Sequence, residues 1–176
     1  EARLNALTFI NGGTSDTNFD GNNDTLFLRY GGQGYTVTTR FVLEGGTNGS
    51  RVSDIAEQIT ITNTSTTSRT FSFFQYADFD LNGNIVDDAA GIANANAVYQ
   101  HDFLNGTTVS ETVFTPTFSI AEVGVYASTL NSLDDAGITT LNGNAGPLVG
   151  SADYTWALQW NITLAPGQSF QISKDL

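Results

Sequence analysis

Apolar and polar residues alternate along several stretches of the chain, which is the pattern of β-strands that bury one face. The clearest stretch lies between Tyr154 and Leu164. Three shorter stretches begin near Tyr35, Ile55 and Phe71, and a fourth lies near Ile172. This alternation predicts half-buried strands packed on a common core. The predicted core residues are Trp156, Leu158, Trp160, Ile162, Phe71, Phe73, Ile59, Ile61, Val37 and Phe41.

Runs rich in Gly, Asn, Ser and Thr separate these stretches and favour turns, because such residues accept positive φ or bond to their own backbone. Frequent turns between short strands are typical of two-sheet antiparallel sandwiches. We therefore predict an all-β, jelly-roll-like sandwich that forms a single domain over residues 1–176, with at most one short helix between Tyr126 and Ala136. The turn-forming runs begin at Asn11, Gly31, Glu44, Asn63, Asn105, Asn142 and Ala165.

The acidic composition of the chain excludes some classes of binding partner. The chain has 18 acidic and 6 basic side chains, a formal net charge of -12, and no Cys. A surface this negative repels phosphate backbones and anionic lipid head groups, so we expect no nucleic-acid partner. No run approaches the roughly 18 apolar residues of a membrane-spanning helix, so no membrane span is predicted.

The segment DTNFDGNND places acidic and amide side chains at alternate positions. A calcium loop has oxygen ligands at positions one, three and five and a glycine at position six for the sharp bend. The segment meets these requirements, although position twelve is Phe27 instead of a bidentate glutamate. It predicts a Ca²⁺ site, with a solvated turn between strands as the alternative. The candidate ligands are Asp16, Asn18, Asp20, Asn22 and Asp24.

The segment DFDLNGNIVDD repeats this spacing and predicts a second Ca²⁺ site. Hard oxygen ligands suit calcium better than a softer transition metal. The alternative is an ordinary strand end, because Phe79 and Leu81 alternate with the acidic residues. The candidate ligands are Asp78, Asp80, Asn82, Asn84, Asp87 and Asp88.

Catalytic motifs are absent from the sequence, and we predict that the protein is not an enzyme. His101 is the single histidine, and Asp102 next to it would face the other side of an extended segment. No nucleophile elbow or phosphate-binding glycine loop occurs. The carboxylate pair of a glycosidase is defined by distance in space, so the sequence leaves that alternative open.

Two segments carry a family resemblance. The run SDIAEQITITNTSTTSRTFSFFQYADFDLNG and the C-terminal run WALQWNITLAPGQSFQISKDL resemble the body of bacterial exported proteins of the PEP-CTERM sorting-domain type. The resemblance implies export, removal of a sorting tail by an exosortase, and residence in the extracellular matrix or at the cell surface. It implies no catalytic residues.

These observations favour an extracellular structural protein, a calcium-stabilised subunit of a filament or matrix that self-associates. Residues 1–10 are apolar-rich and predict a strand that docks on the sheet of a neighbouring copy. The alternative is a calcium-dependent carbohydrate-binding module associated with exopolysaccharide, in which exposed Trp or Tyr on a sandwich face would stack on sugars. Trp156 and Trp160 share the apolar face with Leu158, which favours the core for both, and their exposure in one flat patch would favour this alternative.

Overall fold

The computed structural model describes residues 7–83, 87–135 and 137–176. It confirms the predicted all-β class, since two antiparallel sheets, of nine and three strands, account for most of the secondary structure. The elements are β1 (Thr8–Ser15), β2 (Thr25–Gly32), β3 (Tyr35–Gly45), β4 (Ser53–Asn63), β5 (Arg69–Asp78), β6 (Asp88–Asn94), β7 (Ala97–Asp102), β8 (Thr108–Thr115), β9 (Ile120–Val125), α1 (Ser128–Asp134), β10 (Leu148–Gly150), β11 (Tyr154–Leu164) and β12 (Ser169–Asp175).

The larger sheet has the strand order β1-β2-β3-β4-β12-β8-β7-β6-β10, and the smaller has the order β5-β11-β9. Helix α1 agrees with the helix predicted between Tyr126 and Ala136. None of the helices in the described part of the chain is long and apolar enough to cross a bilayer.

Packing divides the chain into two compact units, each with its own core. The tryptophan unit consists of Phe71–Thr112 and Thr117–Asn161. The meander unit consists of Ala2–Thr70, Val113–Pro116 and Ile162–Leu176, and is described here from residue 7 onward. The prediction of one domain over residues 1–176 stays a prediction.

Strand β11 supplies the core of the tryptophan unit. Trp156 and Trp160 are each 1% exposed, as predicted. Thr155 and Gln159, which the alternation places on a polar face, are also buried, because β11 is the middle strand of the smaller sheet. Gln159 keeps its polar atoms bonded there: Oε1 accepts from the Leu141 backbone N–H at 2.9 Å. Paired in this way, a glutamine is buried without a large penalty.

The core of the meander unit is formed by Ile59 and Ile61 of β4 and by Ile172 of β12, which lies opposite Ile59. These burials confirm the prediction for β4. Val37 and Phe41 of β3 are only half-buried, in contrast to their predicted place in the core.

One predicted turn is wrong. The run from Asn11 belongs to β1, which continues to Ser15 and pairs with β2. A Cβ at Gly12 would lie 2.7 Å from the Phe27 carbonyl oxygen and 2.9 Å from Leu28 Cδ2. Glycine is therefore required here for close approach within a strand, not for a turn.

Candidate metal site

Three aspartates from two distant parts of the sequence meet in the tryptophan unit. Asp78 ends β5, Asp80 follows it by two residues, and Asp153 directly precedes β11. Each offers a carboxylate oxygen that lies within 4.8 Å of those of the other two. We call these three residues the acidic cluster.

The local chain direction is set by Phe79, between the first two aspartates. Its ring stacks on Trp156, with 5.3 Å between the ring centroids and 30° between the ring planes. Trp156 is buried, whereas Asp78 and Asp80 are exposed. In an extended segment neighbouring side chains point to opposite sides, so anchoring Phe79 in the core directs both carboxylates outward together.

A fourth carboxylate, that of Asp88 at the start of β6, lies beside this segment. Its Oδ2 accepts a hydrogen bond from Gln100 Nε2 at 2.6 Å, and the same Nε2 donates to the Phe79 carbonyl oxygen at 2.7 Å. Asp88 is only 1% exposed, yet its Oδ1 has no hydrogen-bond partner among the residues that the structure describes. A buried carboxylate oxygen without a donor or cation is costly, because burial strips its water without replacement.

Burial and mutual repulsion disfavour the charged forms of these carboxylates. Burial raises the pKa of Asp153, and the charges of Asp78, Asp80 and Asp88 raise it further. Burial likewise raises the pKa of Asp78, with repulsion from Asp80. Burial also raises the pKa of Asp88, and the hydrogen bond from Gln100 opposes this increase. Among the described residues, no basic group counts among the causes of these shifts, and the charged neighbours that contribute are all acidic.

The dimensions of the acidic cluster fit one Ca²⁺ ion. Calcium binds carboxylate oxygens at about 2.3–2.6 Å, so two ligands on opposite sides of the ion lie at most about 5 Å apart. Oxygens within 4.8 Å of one another can therefore share one ion. A hard, oxygen-only ligand set excludes the thiolate- and imidazole-seeking metals as preferred occupants.

The other predicted ligands of this segment are not part of the acidic cluster as defined, and their binding of calcium stays a prediction. Asn82 Nδ2 donates to Asp102 Oδ2 at 2.6 Å and to Thr107 Oγ1 at 2.8 Å, so it fastens the β7–β8 hairpin and does not join the cluster. Asp87 accepts from the Phe103 N–H through its backbone carbonyl. Asn84 lies outside the described residues.

The first predicted loop is closed by its own hydrogen bonds. Asp16 accepts from the Phe19 N–H at 2.6 Å and from the Gly21 N–H at 2.7 Å. Asp24 accepts from Thr17 Oγ1 at 2.7 Å, and this bond holds the pKa of Asp24 at about 2. Asp20 accepts from the Asn22 N–H at 2.8 Å and its own N–H donates to Asn18 Oδ1 at 3.0 Å.

Within the described ranges, the acidic side chains that converge as a group of three are those of the acidic cluster and not those of the first loop. Calcium binding by Asp16, Asn18, Asp20, Asn22 and Asp24 stays a prediction.

Sequence reasoning missed Asp153, because it lies 73 residues after Asp80 in a run without a loop motif. The available signal was indirect. Asp153 directly precedes β11, and the Trp156 ring on that strand stacks on Phe79, which lies between Asp78 and Asp80. A prediction that β5 pairs with β11 would therefore have placed the three aspartates close together.

Two further predictions can be compared with the structure. Trp156 and Trp160 are both buried, so neither offers a surface platform for a sugar. In the N-terminal strand, Thr8 and Phe9 pair with β2 of the same chain, and residues 1–6 lie outside the described part.

The single histidine is not held by its neighbour: His101 Nδ1 lies 2.7 Å from Thr108 Oγ1, whereas Asp102 accepts from Asn82, Leu104 and Asn105.

Comparison of the sequence with models of known protein families finds no match, and comparison with curated proteins finds none.

Proposed function

We propose that this chain is an extracellular structural domain whose fold is stabilised by Ca²⁺ bound at Asp78, Asp80 and Asp153. The observation that carries the proposal is the convergence of three carboxylates within 4.8 Å beside the buried Asp88, whose Oδ1 has no donor. A cation neutralises the repulsion among these groups and thereby stabilises the native arrangement.

The ion would join parts of the chain that are far apart in sequence. Asp78 ends the edge strand β5 and Asp80 follows it by two residues, whereas Asp153 directly precedes the central strand β11. A ligand that binds only the folded arrangement lowers the free energy of that state and not of the unfolded chain. This is a structural use of calcium, and it requires no catalytic residue.

The proposed location rests on sequence features. The resemblance to exported PEP-CTERM proteins and the net charge of -12 support a place at the cell surface or in the matrix. Extracellular modules work with Kd values near 10⁻⁴–10⁻³ M, because calcium outside cells is abundant. A small, partly exposed carboxylate site suits that range. Labelling intact cells with an antibody against the domain tests the location, and labelling only after lysis would contradict it.

Terbium luminescence tests the metal site. Tb³⁺ occupies calcium sites, and Trp156 stacks on the phenylalanine between two proposed ligands, so its indole is placed to sensitise a bound lanthanide. We expect Tb³⁺ emission on tryptophan excitation, displaced by excess Ca²⁺. Trp156→Phe should remove most of the sensitised emission although Trp160 remains. Asp153→Asn should weaken binding at least tenfold, whereas Asp54→Asn, an exposed aspartate on β4, should leave it unchanged. Emission that calcium does not displace, or that Asp153→Asn leaves intact, would refute the site.

A further inference from the structure

Strands β1, β2 and β3 present an apolar face on one side of the meander unit. Antiparallel partners share a face. Leu28 lies opposite Gly12 and Thr39, and Tyr30 lies opposite Phe9 and Val37. Its members, which we call the meander face, are Phe9, Gly12, Thr14, Leu26, Leu28, Tyr30, Tyr35, Val37, Thr39 and Phe41.

The meander face continues the core outward from β4, because Val37 lies opposite Ile61 and Thr39 opposite Ile59. Ile59 and Ile61 are 3% and 2% exposed, whereas none of the residues of β1 or β3 is buried. The elements that β1, β2 and β3 contact most are one another and β4. The members of the meander face on β1 are exposed and those on β2 and β3 are half-buried, so part of this extension of the apolar sheet face is accessible to solvent.

Local packing makes the meander face continuous. The Phe9 ring meets the Tyr30 ring edge-on, with 5.6 Å between centroids. A Cβ on Gly12 would lie 2.9 Å from Leu28 Cδ2 and 3.3 Å from Phe9 Cε2, so the missing side chain lets these two close over the backbone. Phe9 nevertheless stays 55% exposed. The apolar members on β2 and β3 are half-buried, so the meander face is a partly exposed apolar surface centred on Phe9, of the kind found at interaction sites.

Charge indicates the occupant. The chain carries a net charge of -12, yet β1, β2 and β3 contribute no charged side chain to the meander face, and at its Tyr35 end it is bordered by the Arg69 guanidinium, 5.2 Å from the Tyr35 ring centroid. Where it reaches β4, Glu57 lies opposite Phe41 and is paired with Lys174. The opposite face of the same strands carries Arg29 and Arg40. Two copies of so acidic a chain repel each other except where they meet through uncharged surface. A basic partner would find no charge to bind here.

We propose that the meander face is the surface through which a second copy of this chain docks, face to face about a twofold axis. A twofold contact places the same patch on both copies, and apolar sheet faces pack about 10 Å apart as in sandwiches. The inference rests on the proposed structural role, which it deepens by naming the surface that joins two copies. It differs from strand donation by residues 1–10, because no backbone pairing is exchanged.

The footprint sets the expected strength. Three strands of eight residues cover roughly 380 Å² of flat sheet per copy, taking about 4.8 Å between strands and 3.3 Å per residue. Because side chains protrude from the sheet, the accessible area that two copies would bury is larger than this flat footprint and comes close to the ~1,000 Å² that specific interfaces need. We therefore expect a weak dimer with a Kd on the order of micromolar to tens of micromolar.

Sedimentation equilibrium tests the proposal on the full chain between about 1 µM and 500 µM, a range that brackets this Kd. Wild-type protein should pass from monomer to dimer. Leu28→Glu, which places a charge in the meander face, should raise Kd at least tenfold. Thr38→Glu is the matched control: Thr38 is equally half-buried, lies opposite Arg29 on the other face, and acquires the same charge. It should dimerise like wild type. Leu28→Thr, a milder variant that suits a strand, should weaken the dimer without loss of the circular dichroism spectrum.

Wild-type protein that stays monomeric throughout, or a Leu28→Glu variant that dimerises as tightly as Thr38→Glu, overturns the proposal. A monomer whose migration is retarded by polysaccharide, with retardation lost in Leu28→Glu, overturns it in favour of a glycan. Asp153→Asn should dimerise normally. Wild-type protein that dimerises but gains no stability from calcium would refute the calcium site and leave the meander face standing. Wild-type protein that gains stability from calcium but stays monomeric would do the opposite.

Discussion

Asp153→Asn should change stability in opposite directions with and without calcium. Without the ion, three carboxylates within 4.8 Å repel one another. A pair at this distance interacts with about 1 kcal/mol in water and about 3 kcal/mol at an effective dielectric constant of 20. Since Asp78 and Asp80 are exposed, the lower figure applies, and neutralising Asp153 removes two such pairs. We expect the calcium-free variant to be more stable than wild type by about 1–2 kcal/mol.

With calcium the order should reverse. At about 10 mM Ca²⁺ and a Kd near 10⁻⁴ M, binding adds about 2.7 kcal/mol to the stability of wild-type protein. For a chain of this size that corresponds to roughly 5–10 °C in Tm. The variant has lost a ligand and should gain much less.

Urea unfolding followed by tryptophan fluorescence, with chelator and with calcium, measures both states. Asp54→Asn should show the calcium dependence of wild type. An Asp153→Asn variant that is destabilised equally under both conditions would mean that Asp153 acts through its hydrogen bonds or packing alone, and would refute the reasoning.

Two further predictions concern the fold. Trp160→Ala should lower the free energy of unfolding by about 3–5 kcal/mol, because Trp160 is 1% exposed and its loss opens a large cavity beside Phe73. Chemical denaturation measures this loss. A loss below about 1 kcal/mol would contradict the described core. Acid should destabilise the β7–β8 hairpin: the hydrogen bond from Asn82, with those from Asn105 and Leu104, lowers the pKa of Asp102 to about 2. Because the folded pKa lies below the unfolded one, this contribution is present above about pH 4 and is lost as the pH falls toward 2. The protection factor of the Leu104 amide, which corrects for the intrinsic pH dependence of exchange, should fall across that interval in wild type and stay constant in Asp102→Asn, where a similar fall would contradict the assignment.

The alternation of side chains predicted strands where one face is buried and the other is solvated. It located β3, β4, β5, β11 and β12, whose sequences are rich in β-branched and aromatic residues. It did not locate β6, whose sequence DAAGIAN has small residues on both faces. Ala89 and Ala90 are both buried there, so no polar face exists to produce alternation. β1 was predicted as a strand only as far as Ile10, because Gly12 and Gly13 indicate a turn when the side chains that pack against them are not known.

The candidate metal site could be predicted only in part. Asp78 and Asp80 were recognised because their spacing is local. Asn82 was predicted as a ligand because it continues the same spacing. Its φ of 56° places it in a turn, however, and its side chain donates a hydrogen bond to Asp102. Asp153 depends on strand pairing across the smaller sheet, which a single sequence does not encode in any local pattern. The meander face was hidden because half-buried Val37 and Phe41 have the same alternation as core residues.

The central claim is that one Ca²⁺ ion lies among Asp78, Asp80 and Asp153. A crystal structure of the protein grown in about 10 mM calcium chloride tests it most directly. The account predicts a fully occupied ion with carboxylate oxygens of all three residues at about 2.3–2.6 Å. A well-ordered structure from those crystals in which the three carboxylates surround only water, or in which calcium occupies the Asp16–Asp24 loop instead, would contradict it.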